Sequence, residues 1–396
     1  MKKFYSLLAV ISILILFQSC ENRNQNKLKK SYFAKADTTL SIIYNFYGVN
    51  SSPLLKETYP VDSDLNVTYL GSAASQASEN RCAYLWPYSG LFSAVNVLQE
   101  TTKKGKYKSL LTDTVLVGLE EYYDDTRLPF GYASYIDSIS DRFYDDNIWL
   151  GIDFTDAYLS QGNPLYLQKA ELLWNFVWSG YDTKLGGGIY WHEQGKNGKN
   201  TCSNAPAAVF ALKLYLSTKK DSYLQLGTQL YQWTQQTLQD PSDKLYFDNK
   251  NLDGKVDTTK YSYNSGQMIQ AASLLYKITK EEKYLLQAKE VAESSFLYFF
   301  DPFITEIDDF MMVKNNNVWF TAVLLRGFLE LYSITQDDGY IIHFEKGLDY
   351  AWDHARDSDG LFSTDWSGKE KNVKKWLLTQ AAMVEMYARI ANFLKQ

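Results

Sequence analysis

Six stretches of the chain share one pattern, an aromatic or polar opening followed by an apolar run at helical spacing. They are "LWPYSGLFSAVNVL" from residue 85, "YDDNIWLGIDFTDAYL" from 144, "SNAPAAVFALKLYL" from 203, "YNSGQMIQAASLLYKI" from 263, "VWFTAVLLRGFLELY" from 318 and "LLTQAAMVEMYARI" from 377. Successive starts lie 59, 59, 60, 55 and 59 residues apart. Between them runs a second set opened by Tyr107, Tyr166, Tyr223, Tyr284 and Tyr340. Here the apolar residues form one stripe, as in Tyr166–Ala170–Leu173–Val177 and Tyr340–Phe344–Leu348–Trp352. Runs that are apolar nearly all round suit inner helices, and one-sided runs suit an outer layer. The sixth inner run ends near Leu394 and leaves no residues for an outer partner. Residues 36–48, "ADTTLSIIYNFYG", supply the missing amphipathic helix from the other end of the chain. The expected fold is all-α: six helical hairpins closed into an (α/α)6 toroid. An open helical solenoid has the same periodicity, and closure by the N-terminal helix favours the ring.

In such a ring the loops before the inner helices gather at one mouth. Residues 181–200 and 241–257 carry Gly and Asn turns and are expected to form short hairpins there. Asn249, Asn251, Asp253, Gly254 and Asp257 resemble half a calcium loop, but Lys260 stands where a bidentate Glu belongs, so a turn is expected.

The ends divide the chain further. Residues 1–20 run from a basic "MKK" through "FYSLLAVISILILF" to "QSC", a secretory signal too short for a comfortable membrane span. Cys20 directly after the apolar run resembles a bacterial lipobox, which would make it the lipidated N-terminus of an envelope-anchored protein; ordinary cleavage nearby is the other reading. Residues 21–35 are polar and aperiodic and read as a tether, leaving 36–396 as a single domain with no Pro/Gly/Ser-rich break. Without Lys2 and Lys3 the charge is 38 − 46 = −8, which argues against a nucleic-acid partner. His192, His343 and His354 are too scattered to form a metal site, and no Ser or Cys has a base at hand, so neither metal nor cofactor is expected. Cys82 and Cys202 are either one disulfide or two unrelated thiols. The chemistry falls to carboxylates.

Adjacent acids occur at Asp124–Asp125, Asp145–Asp146, Asp308–Asp309 and Asp337–Asp338. Helix capping suffices for three of these pairs. Only Asp145–Asp146 opens an inner helix and is therefore expected to face the enclosed cavity. Neighbouring residues at a helix start set their carboxyl groups about 5–7 Å apart; retaining glycosidases use roughly 5–5.5 Å. Mutual repulsion in a poorly solvated cleft would separate the two pKa values, leaving one acid ionised and the other protonated. Trp86, Tyr88, Tyr144, Trp149, Tyr190, Trp191, Tyr263 and Trp319 fall at or just before inner-helix starts, where flat faces can stack on sugar rings. Asn147, Asn204, Asn264 and Asn317 are placed to bond hydroxyl groups, whereas Arg326 reads as a buried structural charge.

"YDDN-IW", "GGIYWHE", "KNTCSNAPAAVFALKLY" and "YSYNSGQMIQAASLLY", in that order, resemble the motifs of glycoside hydrolase family 76, the α-1,6-mannanases. The resemblance runs from about Leu85 to the C-terminus. It implies an endo-acting retaining hydrolase of α-1,6-linked mannan, with Asp145 as nucleophile and Asp146 as general acid/base, acting as a monomer on a polysaccharide or oligosaccharide. Tyr190 and Leu150 stand where the family often has Trp, and Ser265 where Gln is frequent. An exo-α-mannosidase, a transglycosidase and a non-catalytic glycan-binding lipoprotein are the alternatives.

Overall fold

The computed structural model describes residues 27–62, 67–70, 79–102, 105–137 and 140–394. Twelve helices account for most of them. Helix α1 covers 27–47, and α2 is Leu85–Thr102. The next, α3, runs through Gly105–Leu110, a π-helical turn Leu111–Val115 and Leu116–Glu120. Then follow α4 (Tyr144–Gln161), α5 (Pro164–Trp178), α6 (Thr201–Thr218), α7 (Asp221–Leu238) and α8 (Ser262–Thr279). Last come α9 (Glu282–Phe299), α10 (Val318–Thr335), α11 (Gly339–His354) and α12 (Leu377–Phe393).

The two kinds of apolar pattern become two layers. Every residue of α6 from Thr201 to Leu214 is buried, whereas α9 buries Tyr284, Ala288, Val291, Ala292, Ser295 and Phe299, one stripe at helical spacing. The even-numbered helices are therefore the inner ring. Each packs on the next, and α12 packs on α2, so the ring is closed and the open solenoid is excluded. The approach of α8 to α10 is backbone to backbone: a Cβ on Gly266 would sit 2.6 Å from the Leu324 Cα, and one on Gly327 would sit 2.4 Å from the Gly266 carbonyl oxygen. Helix α10, long and apolar enough to span a bilayer, is one of these packed inner helices.

Four inner helices end alike, with a left-handed residue (Gly162, Lys219, Lys280 or Gln336) whose N–H bonds the carbonyl of Tyr158, Tyr215, Tyr276 or Tyr332. This cap turns the chain into the outer helix; at α5 it is followed by Asn163, which caps the Leu165 N–H, and by Pro164.

Closure follows the expected route. Helix α1 buries Tyr32, Ala36, Leu40, Ile43 and Tyr47 as a stripe, and the Tyr47 hydroxyl donates to the Lys375 carbonyl at 2.8 Å. The two-residue strand Thr58–Tyr59 pairs antiparallel with Lys375–Trp376, joining the start of the domain to its last inner helix. The tether needs correction: the described part of 21–35 is helical from residue 27, and Tyr32 within it is fully buried. Arg326 on α10 is a structural charge, bidentate to Glu385 of α12 at 2.7 and 2.8 Å. Burial alone would raise the Glu385 carboxyl, but Arg326, then Arg389, hold it to about 2.

At the mouth, Phe247–Asn251 and Val256–Lys260 form the expected hairpin, turning at Gly254 (φ +93°) with Asp253 bonded to the Lys255 N–H. The half calcium loop is this turn, and Lys260 bonds Asp240 and Asp243 instead. Residues 181–200 are not a hairpin. They form a loop closed by a single Tyr181–Ile189 bridge, and only Gly198–Asn200 is a strand, added to Phe247–Asn251. A second hairpin, Phe300–Ile304 with Asp309–Val313, packs against α11. Asp124 caps no helix: it accepts from Thr126 and Arg127 in the loop after α3.

Candidate active site

The mouth opens into a cleft of about 480 Å³, within the roughly 300–1,000 Å³ usual for ligand sites. Its position follows from a register shared by the inner helices. The second helical residues of α2, α4, α6, α8 and α10 are Trp86, Asp145, Cys202, Tyr263 and Trp319, and all five line the cleft. Asp146 and Trp149 of α4 join them, with Trp191 from the preceding loop.

Asp145 and Asp146 sit in the first turn of α4, where free N–H groups favour negative charge. The chain enters in extended conformation at Phe143, and the Tyr144 N–H bonds the Trp191 carbonyl at 2.9 Å, which clips the 181–191 loop to the helix start. From there the Trp191 indole N–H donates to Asp145 Oδ2 at 3.0 Å. The loop has its own core: the fully buried Lys199 ammonium bonds Asp182 Oδ1 and the carbonyls of Asp182, Lys184 and Gly187 at 2.6–3.0 Å.

Burial raises both catalytic-candidate carboxyls. For Asp145 the rise is opposed first by the Trp191 indole N–H on Oδ2 and then by the nearby Cys202 thiol and the N–H groups of the helix start, while Oδ1 has no hydrogen-bond partner among the described residues. Asp146 has no such donors among the described residues, and after burial the nearby Asp145 charge pushes it further, well above the carboxylate range. The Trp191 donor on Asp145 favours the charge there and the proton on Asp146. A carboxylate and a carboxylic acid side by side in a cleft can perform nucleophilic attack and proton donation.

Five of the proposed sugar contacts line the cleft: Trp86, Trp149, Trp191, Tyr263 and Trp319. Their ring faces are largely occupied by one another. Trp319 meets Trp149 edge-on at 4.7 Å and Trp86 at 5.5 Å, and Tyr263 stacks on Phe320 at 4.0 Å. The wall is an interlocked aromatic layer rather than a row of free platforms.

The other expected contacts are elsewhere: the buried Tyr88 and Tyr190 donate to the Val115 carbonyl and to Asp182. Tyr144 faces the outer layer, stacked on Phe176 at 5.0 Å and against Gly180. Asn147 is fully buried; its Oδ1 accepts from the Tyr132 N–H, and its Nδ2 donates to the Tyr132 and Phe143 carbonyls. Asn204 repeats this on Ile189 and Asn200, and Gln380 clamps both the N–H and the carbonyl of Phe362. Each clamp is the fourth residue of an inner helix and pins the incoming loop. Their amides are saturated by backbone, which removes them from the sugar site. Asn264 is fully buried beside Asp248 and off the cleft wall. Asn317, similarly, caps α10 through the Trp319 N–H.

The polar wall comes instead from the three-stranded sheet and its approach: Asn197, Asn200, Asp248, Asn249 and Asn251. Asp248, raised by burial, keeps one oxygen on the Asn249 amide at 2.8 Å. Sequence reading missed these residues, together with Tyr69, Tyr84 and His192; the Asn-rich "NGKN" and "FDNKN" strands were the available signal. Cys82 and Cys202 are free, buried thiols.

The model of glycosyl hydrolase family 76 matches residues 45–395. The chain belongs to glycosyl hydrolase family 76. Among solved members of the family, the mannosidase Bt3792 of Bacteroides thetaiotaomicron VPI-5482 is 32% identical, with 92% of this chain and 99% of that chain covered and a TM-score of 0.85. An inactive variant of the α-1,6-mannanase GH76A of Salegentibacter sp. HEL1_6, two consecutive aspartates replaced, in complex with α-1,6-mannotriose, is 25% identical over 92% and 99% of the two chains, TM-score 0.72. The putative mannan endo-1,6-alpha-mannosidase C970.02 of Schizosaccharomyces pombe is 22% identical over 55% of this chain and 51% of its own length. This family 76 chain thus spans about half the length of the curated relatives it matches, or less. As a member it is a glycoside hydrolase built on the family's (α/α)6 ring.

Proposed function

We propose that the protein is a retaining endo-α-1,6-mannanase acting by double displacement. Asp145 attacks the anomeric carbon as Asp146 gives its proton to the departing glycosidic oxygen, leaving a glycosyl ester on Asp145. Asp146, now a carboxylate, takes a proton from water as that water attacks the anomeric carbon and breaks its bond to the Asp145 oxygen, which frees the sugar and regenerates both groups. The observation that carries this reading is the pair itself: adjacent acids facing the cleft, one accepting from the Trp191 indole and the other without a donor among the described residues. The relative with two consecutive aspartates replaced and α-1,6-mannotriose bound supports the substrate class. Asp145→Asn and Asp146→Asn variants incubated with linear α-1,6-mannan test it: reducing ends accumulate with wild type only, and near wild-type turnover by either variant removes that residue. Product chain length separates endo from exo action.

Residues 1–26 lie outside the described ones. The proposal for them remains export and lipidation at Cys20, with the enzyme held at the cell envelope. Cys20→Ser would move it from the membrane to the soluble fraction.

A further inference from the structure

One buried acid serves no step of this chemistry. Glu57 precedes the strand that closes the ring, is 1% exposed, and forms no ion pair among the described residues. Its carboxylate instead collects donors from three distant parts of the chain: the Tyr69 hydroxyl at 2.9 Å, the Tyr84 backbone N–H at 2.9 Å and the Trp376 indole N–H at 2.5 Å. Its own carbonyl accepts from the Leu377 N–H, the first residue of α12. Burial pushes the carboxyl up to about 7 against those hydrogen bonds. An uncompensated buried acid is costly to keep, and the groups it holds are informative. Tyr69 and Tyr84 line the cleft, and so does Trp86, against which both the Tyr69 ring (5.1 Å) and the Trp376 ring (5.3 Å) pack edge-on. Tyr69 is also near enough to Asp146 for the two to interact.

We infer that Glu57 is a positioning residue for substrate, a rear anchor that fixes Tyr69, Tyr84 and Trp376 and through them the aromatic wall at the seam of α2 and α12. The inference rests on the mannanase reading for its substrate. A carboxylate suits the task because it only accepts. A glutamine keeps one accepting oxygen and turns its NH2 toward the donors on the other side, so it cannot hold all three.

Steady-state kinetics on α-1,6-mannooligosaccharides test it. Because the wall contacts ground and transition states alike, Glu57→Gln should raise KM about tenfold with kcat within about twofold, and Tyr69→Phe should raise KM about threefold. The double variant should match Glu57→Gln alone, since both changes cut one connection. An unchanged KM in folded Glu57→Gln, a fall confined to kcat, or multiplicative effects in the double variant overturns the inference. If Glu57→Gln does not fold, Tyr69→Phe decides, and an unchanged KM overturns it. The wild-type arm separates the two claims: no reducing ends from wild type defeats the mannanase reading, whereas an active wild type with unmoved variants defeats only the anchor.

Discussion

Helices α4 and α6 begin in the same way and do different work. Both follow an extended residue, Phe143 (φ −108°, ψ 135°) or Asn200 (φ −101°, ψ 151°). Both carry an asparagine as fourth residue that grips the backbone fifteen positions earlier. Both turn their second residue into the cleft. At the second and third residues they part, Asp145–Asp146 against Cys202–Ser203. The repeat supplies a clamped helix start, and two aspartates at one of its copies make it the proposed reaction centre. Position in the turn decides which residue meets the cleft and which the backbone, and residue type decides what it can do there.

The largest expected effect is on the two acids. Asp145→Asn and Asp146→Asn should each lower turnover of α-1,6-mannan by about 10²–10⁴-fold or more without loss of stability, by reducing-end assay and thermal denaturation. Stability should hold or rise, because each replacement removes a desolvated carboxyl from a repelling pair.

The clamps should answer oppositely. Asn147→Ala and Asn204→Ala each strip partners from buried backbone groups and should cost about 2–4 kcal/mol in denaturant unfolding, with KM of the folded enzyme nearly unmoved. A shifted KM at unchanged stability would return these amides to the sugar site and dissolve the comparison.

Trp191→Phe keeps the ring but deletes the donor to Asp145. That N–H favours the ionised form, so its loss raises the Asp145 pKa. The acid limb of the kcat/KM profile should move to higher pH by about 1 unit, and the rate at neutral pH should fall about tenfold. In wild type both limbs should lie above the range of ordinary carboxylates, because burial raises both acids.

The smallest effect belongs to α8, one of the copies without such a clamp. Ser265 occupies the fourth position of α8, and its buried hydroxyl has no hydrogen-bond partner among the described residues. Ser265→Ala should stay within about 0.5 kcal/mol of wild type or stabilise slightly.

The ring was legible because burial imposes period: helices wet on no side and helices wet on one side leave different apolar patterns, and a sixty-residue repeat with one orphaned helix admits few closures. The aspartate pair was legible for the same reason, as the one pair opening an inner helix. The asparagines were misread because a polar residue near a mouth looks alike whether it meets sugar or backbone. Asn147 and Asn204 lie only two residues beyond the cleft-facing position, which rotates them toward the incoming loop. Glu57 gave no signal, since its partners Tyr69, Tyr84 and Trp376 become neighbours only when the ring closes.

The stereochemistry of the first product tests the central claim most directly. Proton NMR of α-1,6-mannan during the first minutes of hydrolysis should show the α-anomer of the new reducing end appearing before mutarotation yields the β form, and no signal with Asp145→Asn. The β-anomer appearing first would contradict attack by Asp145 and the division of labour between the two acids.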